Sequence, residues 1–393
     1  MYKDIYADLH IHIGAGNNGK AVKITASRKL NFSNILKESR YNKGLDMIGI
    51  IDSASPHVIR DIEKMLEDGE MEELKEGGIK YGGLLVVLGA EIESREDNGG
   101  QAHYLAYFPY LKNIKEFSHI MEKYISNIHL SSQSTGLSGR ELLKIVEYNG
   151  SILVPAHVFT PHKGFYGRAC RTYQELFTDS EWDKIPAVEL GLSADTYLAD
   201  HLSELEEKTF LSNSDAHSLA NIARAYNAMK LKELNYSGFV KVLNREEGRE
   251  ITANYGLDPR MGKYYSSFCE NCNKSFSQEY TELKCPYCQS GKVVRGVKDR
   301  ILQIKSRENS ISPEHRAEYI HQVPLRDLPG IGEKTYQSLL ARFRTEMNII
   351  HRVTEKELLQ VVNHKIADMI TQGRRGELEI ENGGGGHYGK VMG

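Results

Sequence analysis

From residue 1 to about 220, short apolar runs alternate with longer stretches whose apolar positions recur at helical spacing. The runs are 3–9, 46–51 (DMIGII), 84–91 (LLVVLGAE), 103–108 (HYLAYF), 151–156 (SILVPA), 187–190 (AVEL) and 209–212 (TFLS). Each is brief and nearly continuous, as a strand buried on both faces reads. Helices are expected near 34–43, 57–75, 112–128, 138–149 and 195–207; the fourth opens on Ser138 with Glu141 three residues on, the arrangement of a capping box. Strand and helix in alternation predict an α/β fold, a parallel βα barrel of seven strands.

Acids and histidines fall at one recurrent place on this scheme. The first run leads through Asp8 to His10 and His12, which share a face because side chains alternate along an extended chain. The second leads to Asp52, the third to Glu91 and Glu93, the fifth to His157 and the seventh to Asp215 and His217, whereas His103 stands at the start of the fourth. The C-terminal ends of barrel strands form one rim, and active sites are built there. Any one of these residues alone reads as a solvated acid or a core histidine; the whole set at strand ends does not. Imidazoles with carboxylates suit borderline to hard divalent ions, zinc first, with manganese, iron or magnesium as alternatives. Two or three such ions would supply hydroxide near neutral pH and neutralise phosphate oxygens. Phosphate ester hydrolysis is therefore the expected chemistry, with Asp8, Asp52, Glu91 and Asp215 as its carboxylates.

Composition narrows the class. Of 393 residues, 40% are hydrophobic and 26% charged, the balance of a soluble globular protein. Met1-Tyr2-Lys3-Asp4 passes straight into the first run without a charged-then-apolar leader, and no apolar run approaches ~20 residues. A cytoplasmic protein without a membrane partner is expected. Charge divides unevenly: residues 261–393 hold 20 Lys and Arg against 16 Asp and Glu, leaving residues 1–260 with 30 against 37. A part suited to cations thus precedes a mildly basic part able to approach phosphate.

The second part carries its own signals. Cys269-x2-Cys272 and Cys285-x2-Cys288 have the spacing of a four-cysteine zinc ribbon; four thiolates close the tetrahedron, so this zinc is structural. The fifth cysteine, Cys170, reads as a packed or idle thiol. Residues 292–307 are rich in Lys and Arg, which serves a phosphate backbone or a solvated face equally well. In Pro329-Gly330-Ile331-Gly332-Glu333-Lys334-Thr335, glycines would let backbone N–H groups at a helix start approach phosphate, as in a helix-hairpin-helix module. The loop after His157 mixes Phe159, Phe165 and Tyr166 with Lys163, Arg168 and Arg171. It reads either as a base pocket with phosphate contacts or as an ordinary loop with exposed aromatics. Residues 383–393, GGGGHYGKVMG, read as a flexible tail.

DLHIH at 8–12, the strand ending in Asp52, GAEIE at 89–93, PAH at 155–157 and NSDAH at 213–217 resemble the ordered motifs of the polymerase and histidinol phosphatase (PHP) superfamily. The resemblance implies a distorted seven-stranded βα barrel holding two or three metals, with His10, His12, Glu91, His157, Asp215 and His217 at family ligand positions and His103 as a seventh. Two departures stand out. Ser53-Ala54-Ser55-Pro56 follows Asp52 where a histidine is usual, so Asp52 itself, or His57, takes that role; and the loop 14–20 lacks the extra histidine. Asp8 is assigned to orienting a neighbouring ligand.

The order of barrel (1–260), zinc ribbon (261–300), helical region with its hairpin (301–382) and glycine-rich tail (383–393), with SSQS at 131–134, PAHVFTPHKGFYG at 155–167 and GGGGHYG, resembles the endonuclease Q family. That resemblance implies a DNA repair endonuclease cutting 5′ of uracil, hypoxanthine, xanthine or abasic sites, with the damaged base taken out of the stack. Expected partners are double-stranded DNA with a damaged base, and other DNA repair or replication proteins. The alternatives are another PHP phosphoesterase, either a 3′ exonuclease or a small-molecule phosphatase, and a metal-binding DNA adaptor without catalysis.

Overall fold

Every apolar run named above forms a strand: β1 (Lys3–Ile11), β2 (Met47–Ile50), β3 (Leu84–Glu93), β4 (His103–Phe108), β5 (Ile152–Pro155), β6 (Ala187–Glu189) and β7 (Thr209–Leu211). Three more, β8 (Tyr226–Leu231), β9 (Glu250–Gly256) and β10 (Glu318–His321), were not foreseen. The structure is a computed structural model that describes residues 2–277, 284–383 and 385–392; positions 278–283 of the expected ribbon and 384 and 393 of the expected tail lie outside the described residues.

The sheet is mixed, not all parallel. β1, β2 and β3 pair in parallel, but β4 runs antiparallel to both β3 and β5. Only residues 94–102 separate β3 from β4, too short a span for a crossover helix, so the chain turns straight back. This reversal explains His103: the start of a reversed strand lies at the rim where its neighbours end. β6 and β7 pair in parallel, and the chain beyond β7 returns to β1 through a bridge between Ala216 and Ile11. On that same edge of β1, away from β2, β8 pairs antiparallel; β9 pairs with β8, and β10, from the region expected to be helical, adds a parallel strand on β9. A Cβ on Gly49 would lie 2.3 Å from the Leu9 carbonyl oxygen, so the close approach of β1 and β2 requires glycine. Register shifts between Asp8 and Ile11, a bulge at the position of His10.

Three expected helices stop early, and the one expected at 112–128 runs only Leu111–Met121. The one from Pro56 ends at Glu67, because Gly69 (φ +72°) opens a turn into a hairpin of Glu72–Glu73 with Ile79–Tyr81. The 195–207 stretch divides into Thr196–Ala199 and a 3₁₀ turn, Ser203–Leu205. The capping box of Ser138 and Glu141 forms. Among the described residues no helix is long and apolar enough to cross a membrane.

Beyond β9, three short strands (Ser267–Cys269, Lys274–Phe276, Val293–Val294) bring the four cysteines together. The basic stretch that follows forms a helix, Val297–Ile304; Val297 and Ile301 are buried, and Arg300 donates to the Tyr166 and Cys170 carbonyls. Helices Glu333–Phe343, Glu346–His351 and His364–Arg374 share an apolar core of their own. A fully buried ion pair, Lys43 Nζ to Glu346 Oε2 at 2.7 Å with Tyr336 Oη also on that oxygen, fastens them to the strand-rich part. Removing one partner of such a pair costs ~3–5 kcal/mol.

The C-terminal segment is docked, contrary to its reading as a flexible tail. Ile380–Glu381 pairs with Lys390–Val391, and backbone N–H groups of Gly383, Gly386 and Gly389 donate to the carbonyls of Arg260, Lys263 and Met261.

Candidate metal centre

Glu91, at the end of β3, is the hub. Its Oε1 lies 2.9 Å from His103 Nδ1, 3.5 Å from His157 Nε2 and 3.6 Å from His10 Nε2; its Oε2 lies 3.7 Å from His12 Nε2. Asp215 Oδ1 stands on the other side, 3.5 Å from His10 Nε2, 3.3 Å from His12 Nε2 and 3.4 Å from His217 Nδ1. Three overlapping triads result: His10, His12 and Glu91; His12, Asp215 and His217; Glu91, His103 and His157. Within each, the ligand atoms lie within 4.8 Å of one another.

Three of the imidazoles are aimed by a partner on the far side, whereas His103 Nδ1 bonds Glu91 itself and His217 Nδ1 bonds the Asp215 carbonyl. His10 Nδ1 bonds Glu189 Oε1 at 2.9 Å, His12 Nδ1 bonds Asp52 Oδ2 at 3.1 Å and His157 Nδ1 bonds Thr160 Oγ1 at 2.8 Å. The other nitrogens of His10 and His12, and Nε2 of His103, are buried without a hydrogen-bond partner among the described residues. Buried polar atoms normally find partners, and an imidazole fixed through one nitrogen with the other bare fits a metal ligand. Asp52 thus lies behind His12, where it also accepts the Ile13 N–H, and not among the triads. Among the described residues Asp8 hydrogen-bonds no histidine ring; its carboxylate accepts the His10 backbone N–H and the Ser214 and Ala223 N–H groups, bracketing the turn that carries Asp215. His57, the other candidate for the missing second-motif role, stacks on His129 and bonds Arg60 instead.

Two residues that the sequence pattern did not single out complete the surroundings. Glu189 ends β6 in a strand-end position like the others. Lys23, from the loop after β1, places Nζ 2.9 Å from Glu91 Oε2 and 2.6 Å from Ser132 Oγ. Electrostatics follow from these contacts. Burial alone would raise the Glu91 carboxyl, but His103, Lys23 and His12 hold it well below its usual range. Burial would likewise lower His10, yet Glu189 and Glu91 hold its imidazole well above the ordinary value. Backbone strain marks the same place: His157 (φ +29°) and Asp215 (φ +46°) both occupy the left-handed region.

The centre opens into a cleft of about 540 Å³, lined also by Lys163, Lys263, Tyr264 and Tyr388. Lys163 Nζ sits 2.5 Å from Glu93 Oε2, and Arg168 and Arg171 are exposed. Phe159, Phe165 and Tyr166 do not form a pocket. All three are buried, with Phe165 stacked on Trp182 and the Tyr166 hydroxyl on Glu204, because large rings beside an α/β core gain more by packing than by facing water. Cys170 is buried beside them, which pushes its thiol up. Far from the cleft in sequence, Gly330 (φ +86°) turns the chain into the helix that begins at Glu333; Gly332 and Lys334 are exposed and Thr335 half-buried. The element before this turn is a single 3₁₀ turn, Leu325–Asp327.

A mixed α/β fold that gathers histidines and carboxylates at its strand ends has the donor set of a divalent-metal centre. The chain is 42% identical over 391 residues to the uncharacterised protein YqxK of Bacillus subtilis, covering 99% of each. It is 33% identical over 253 residues to MJ0043 of Methanocaldococcus jannaschii, 59% of this chain and 31% of that one. The crystal structure of the lesion-specific endonuclease PfuEndoQ from Pyrococcus furiosus superposes with a TM-score of 0.84 at 28% identity, over 99% of this chain and 95% of that one. A crystal structure of Endonuclease Q with a 27-mer duplex carrying an abasic lesion at the active site matches equally, over 99% and 96%. No family model matches the chain. The chain belongs to the family of YqxK, and its end-to-end likeness to PfuEndoQ makes it an endonuclease Q-like enzyme that acts on DNA phosphodiester bonds.

Proposed function

We propose that this protein is a metal-dependent DNA repair endonuclease that hydrolyses the phosphodiester 5′ of deaminated bases, namely uracil, hypoxanthine and xanthine, or at abasic sites. The observation that carries the reading is the end-to-end likeness to a lesion-specific endonuclease, combined with bare imidazole nitrogens converging at strand ends. His10, His12, Glu91, His103, His157, Asp215 and His217 would hold two or three divalent metals, zinc first, with manganese, iron or magnesium as alternatives. Bound there, such ions supply a hydroxide nucleophile near neutral pH and offset charge on the phosphate.

The chain's own groups do the rest. Glu91 joins the two sides of the centre, and Glu189 and Asp52 keep the histidines in the tautomers that face it. Lys23 holds a positive charge beside Glu91, where developing phosphate charge can be met. At about 540 Å³ the cleft is within the ordinary range of ligand pockets, and its mixture of lysines and tyrosines is suited to receive an extruded nucleotide. A seven-stranded PHP barrel spans 1–260 in this reading. A ribbon at 261–300 holds one structural zinc on Cys269, Cys272, Cys285 and Cys288, and the helical region at 301–382 grips the duplex backbone through Gly330, Gly332, Lys334 and Thr335. The enzyme would act in the cytoplasm.

The test is an end-labelled duplex with one internal uracil, incubated with protein of measured metal content. A single nick 5′ of the uracil, lost in Asp215→Ala, is expected. Digestion from the 3′ end would favour the exonuclease alternative, and metal binding without cleavage of any DNA or phosphate ester would favour the adaptor.

A further inference from the structure

We infer that the C-terminal strap is part of the active site, with Tyr388 and Arg224 acting as a positioning pair that holds the Asp215 turn. The inference rests on the reading of Asp215 as a metal ligand of a nuclease.

The strap is built to lie where it does. Its three glycine N–H groups reach the 260–263 backbone at 2.6, 3.2 and 2.8 Å. A Cβ on Gly389 would come within 2.3 Å of the Glu381 carbonyl oxygen, and one on Gly385 (φ +60°) within 2.5 Å of the Phe268 ring. Glycines here are thus a condition of close approach rather than a source of looseness. The result is to set Tyr388 on the wall of the cleft beside Asp215 and His217, with the Lys263 ammonium 4.6 Å from its ring centre.

Arg224 connects this tyrosine to the centre. Its Nη1 donates to the Tyr388 hydroxyl at 2.9 Å, its Nε to the Ser214 carbonyl at 2.7 Å and its Nη2 to the Asp215 carbonyl at 3.2 Å. On the opposite side of the turn, Asp8 takes the N–H groups of Ser214 and Ala223 at 3.1 and 2.9 Å. The turn is therefore held through its donors by β1 and through its acceptors by the guanidinium, and the guanidinium in turn is held by the strap. Asp215 sits at φ +46°, a conformation that a non-glycine residue keeps only where its surroundings over-determine it. Loss of the Tyr388 hydroxyl leaves Arg224 with one anchor fewer and the Asp215 carboxylate less firmly placed.

Full-length wild type, Tyr388→Phe, Arg224→Lys and Arg224→Met are to be compared by manganese titration of metal-stripped protein, by uracil-duplex cleavage and by melting temperature. Tyr388→Phe should melt like wild type, bind manganese ~10-fold more weakly and lose ~10–100-fold in kcat with KM unchanged, as outer partners of metal ligands do. Arg224→Lys should resemble Arg224→Met, because three directed hydrogen bonds are needed and charge alone is not enough. Manganese affinity and kcat of Tyr388→Phe within twofold of wild type overturn the inference, as does full rescue by Arg224→Lys. If wild type binds manganese but cuts no duplex, the nuclease reading fails on its own, and the comparison of manganese affinities still decides the positioning role.

Discussion

Glu189 Oε1 lies 2.9 Å from His10 Nδ1, and the same carboxylate takes the His157 backbone N–H at 2.8 Å and Asn213 Nδ2 at 2.9 Å. One buried acid thereby decides which nitrogen of His10 faces the centre and where the turn bearing His157 sits. Glu189→Gln keeps the shape but removes the charge that favours an Nδ1–H on His10. Metal affinity is expected to fall ~10–100-fold with the fold intact, measured by titration of metal-stripped protein against circular dichroism as control. Equal affinity would show that the acid only fills space.

Lys23 puts a cation into a centre otherwise made of imidazoles and carboxylates. Lys23→Met, of similar length and without charge, should lower single-turnover cleavage ~10²–10³-fold, the scale of removing one donor to developing negative charge. Metal content measured on the same sample separates this from lost metal; a variant that cleaves normally would make Lys23 a mere counter-ion of Glu91.

Lys334 is exposed at the start of the helix that follows Gly332. If it meets a phosphate, Lys334→Ala should weaken binding to lesion-bearing and undamaged duplex alike, and reduce the slope of log Kd against log salt by ~1. Fluorescence anisotropy over a salt series reads both, and an unchanged slope would remove Lys334 from the DNA contact.

His351 gives the fold a pH dependence of its own. Its ring stacks on Tyr6 at 4.5 Å and its Nε2 lies 2.7 Å from the Tyr226 hydroxyl. Burial, with Arg374 and Arg352 nearby, pushes the imidazole from 6.5 down to about 4. Between those values the unfolded chain binds the proton and the folded chain does not, so stability falls as pH falls. The contribution is complete above pH 6.5 and is lost toward pH 4, on the order of 3 kcal/mol in all. Urea unfolding at pH 7 and pH 5 should show the loss, and His351→Gln should flatten it.

The expected strands were legible because parallel and buried strands are continuous apolar runs, and the acids and histidines that end them are conspicuous against that background. Glu189 was passed over because it stands inside the run AVEL, before Leu190, and an acid inside a run looks like part of a strand until its neighbour in space is known. Asp52 shows the converse: a strand-end acid can face the back of a ligand as readily as an ion. Lys23 had no signal, because it shares no period with the centre and its partners Glu91 and Ser132 lie 68 and 109 positions away; Tyr388 stood within the GGGGHYG motif, but nothing in the sequence tied that motif to Arg224. Phe159, Phe165 and Tyr166 were misread because composition cannot separate a ring that packs from one that is presented. The reversal of β4 was implicit in the brevity of residues 94–102, and it accounts for the placement of His103 that the alternating scheme left unexplained.

The hydrogen bond from Arg224 to Tyr388 has a meaning for folding. It joins residues 164 positions apart, and contacts of such long sequence separation cost chain entropy before they are rewarded. The turn bearing Asp215 is therefore expected to gain its full support only after the strands that carry the histidines have assembled.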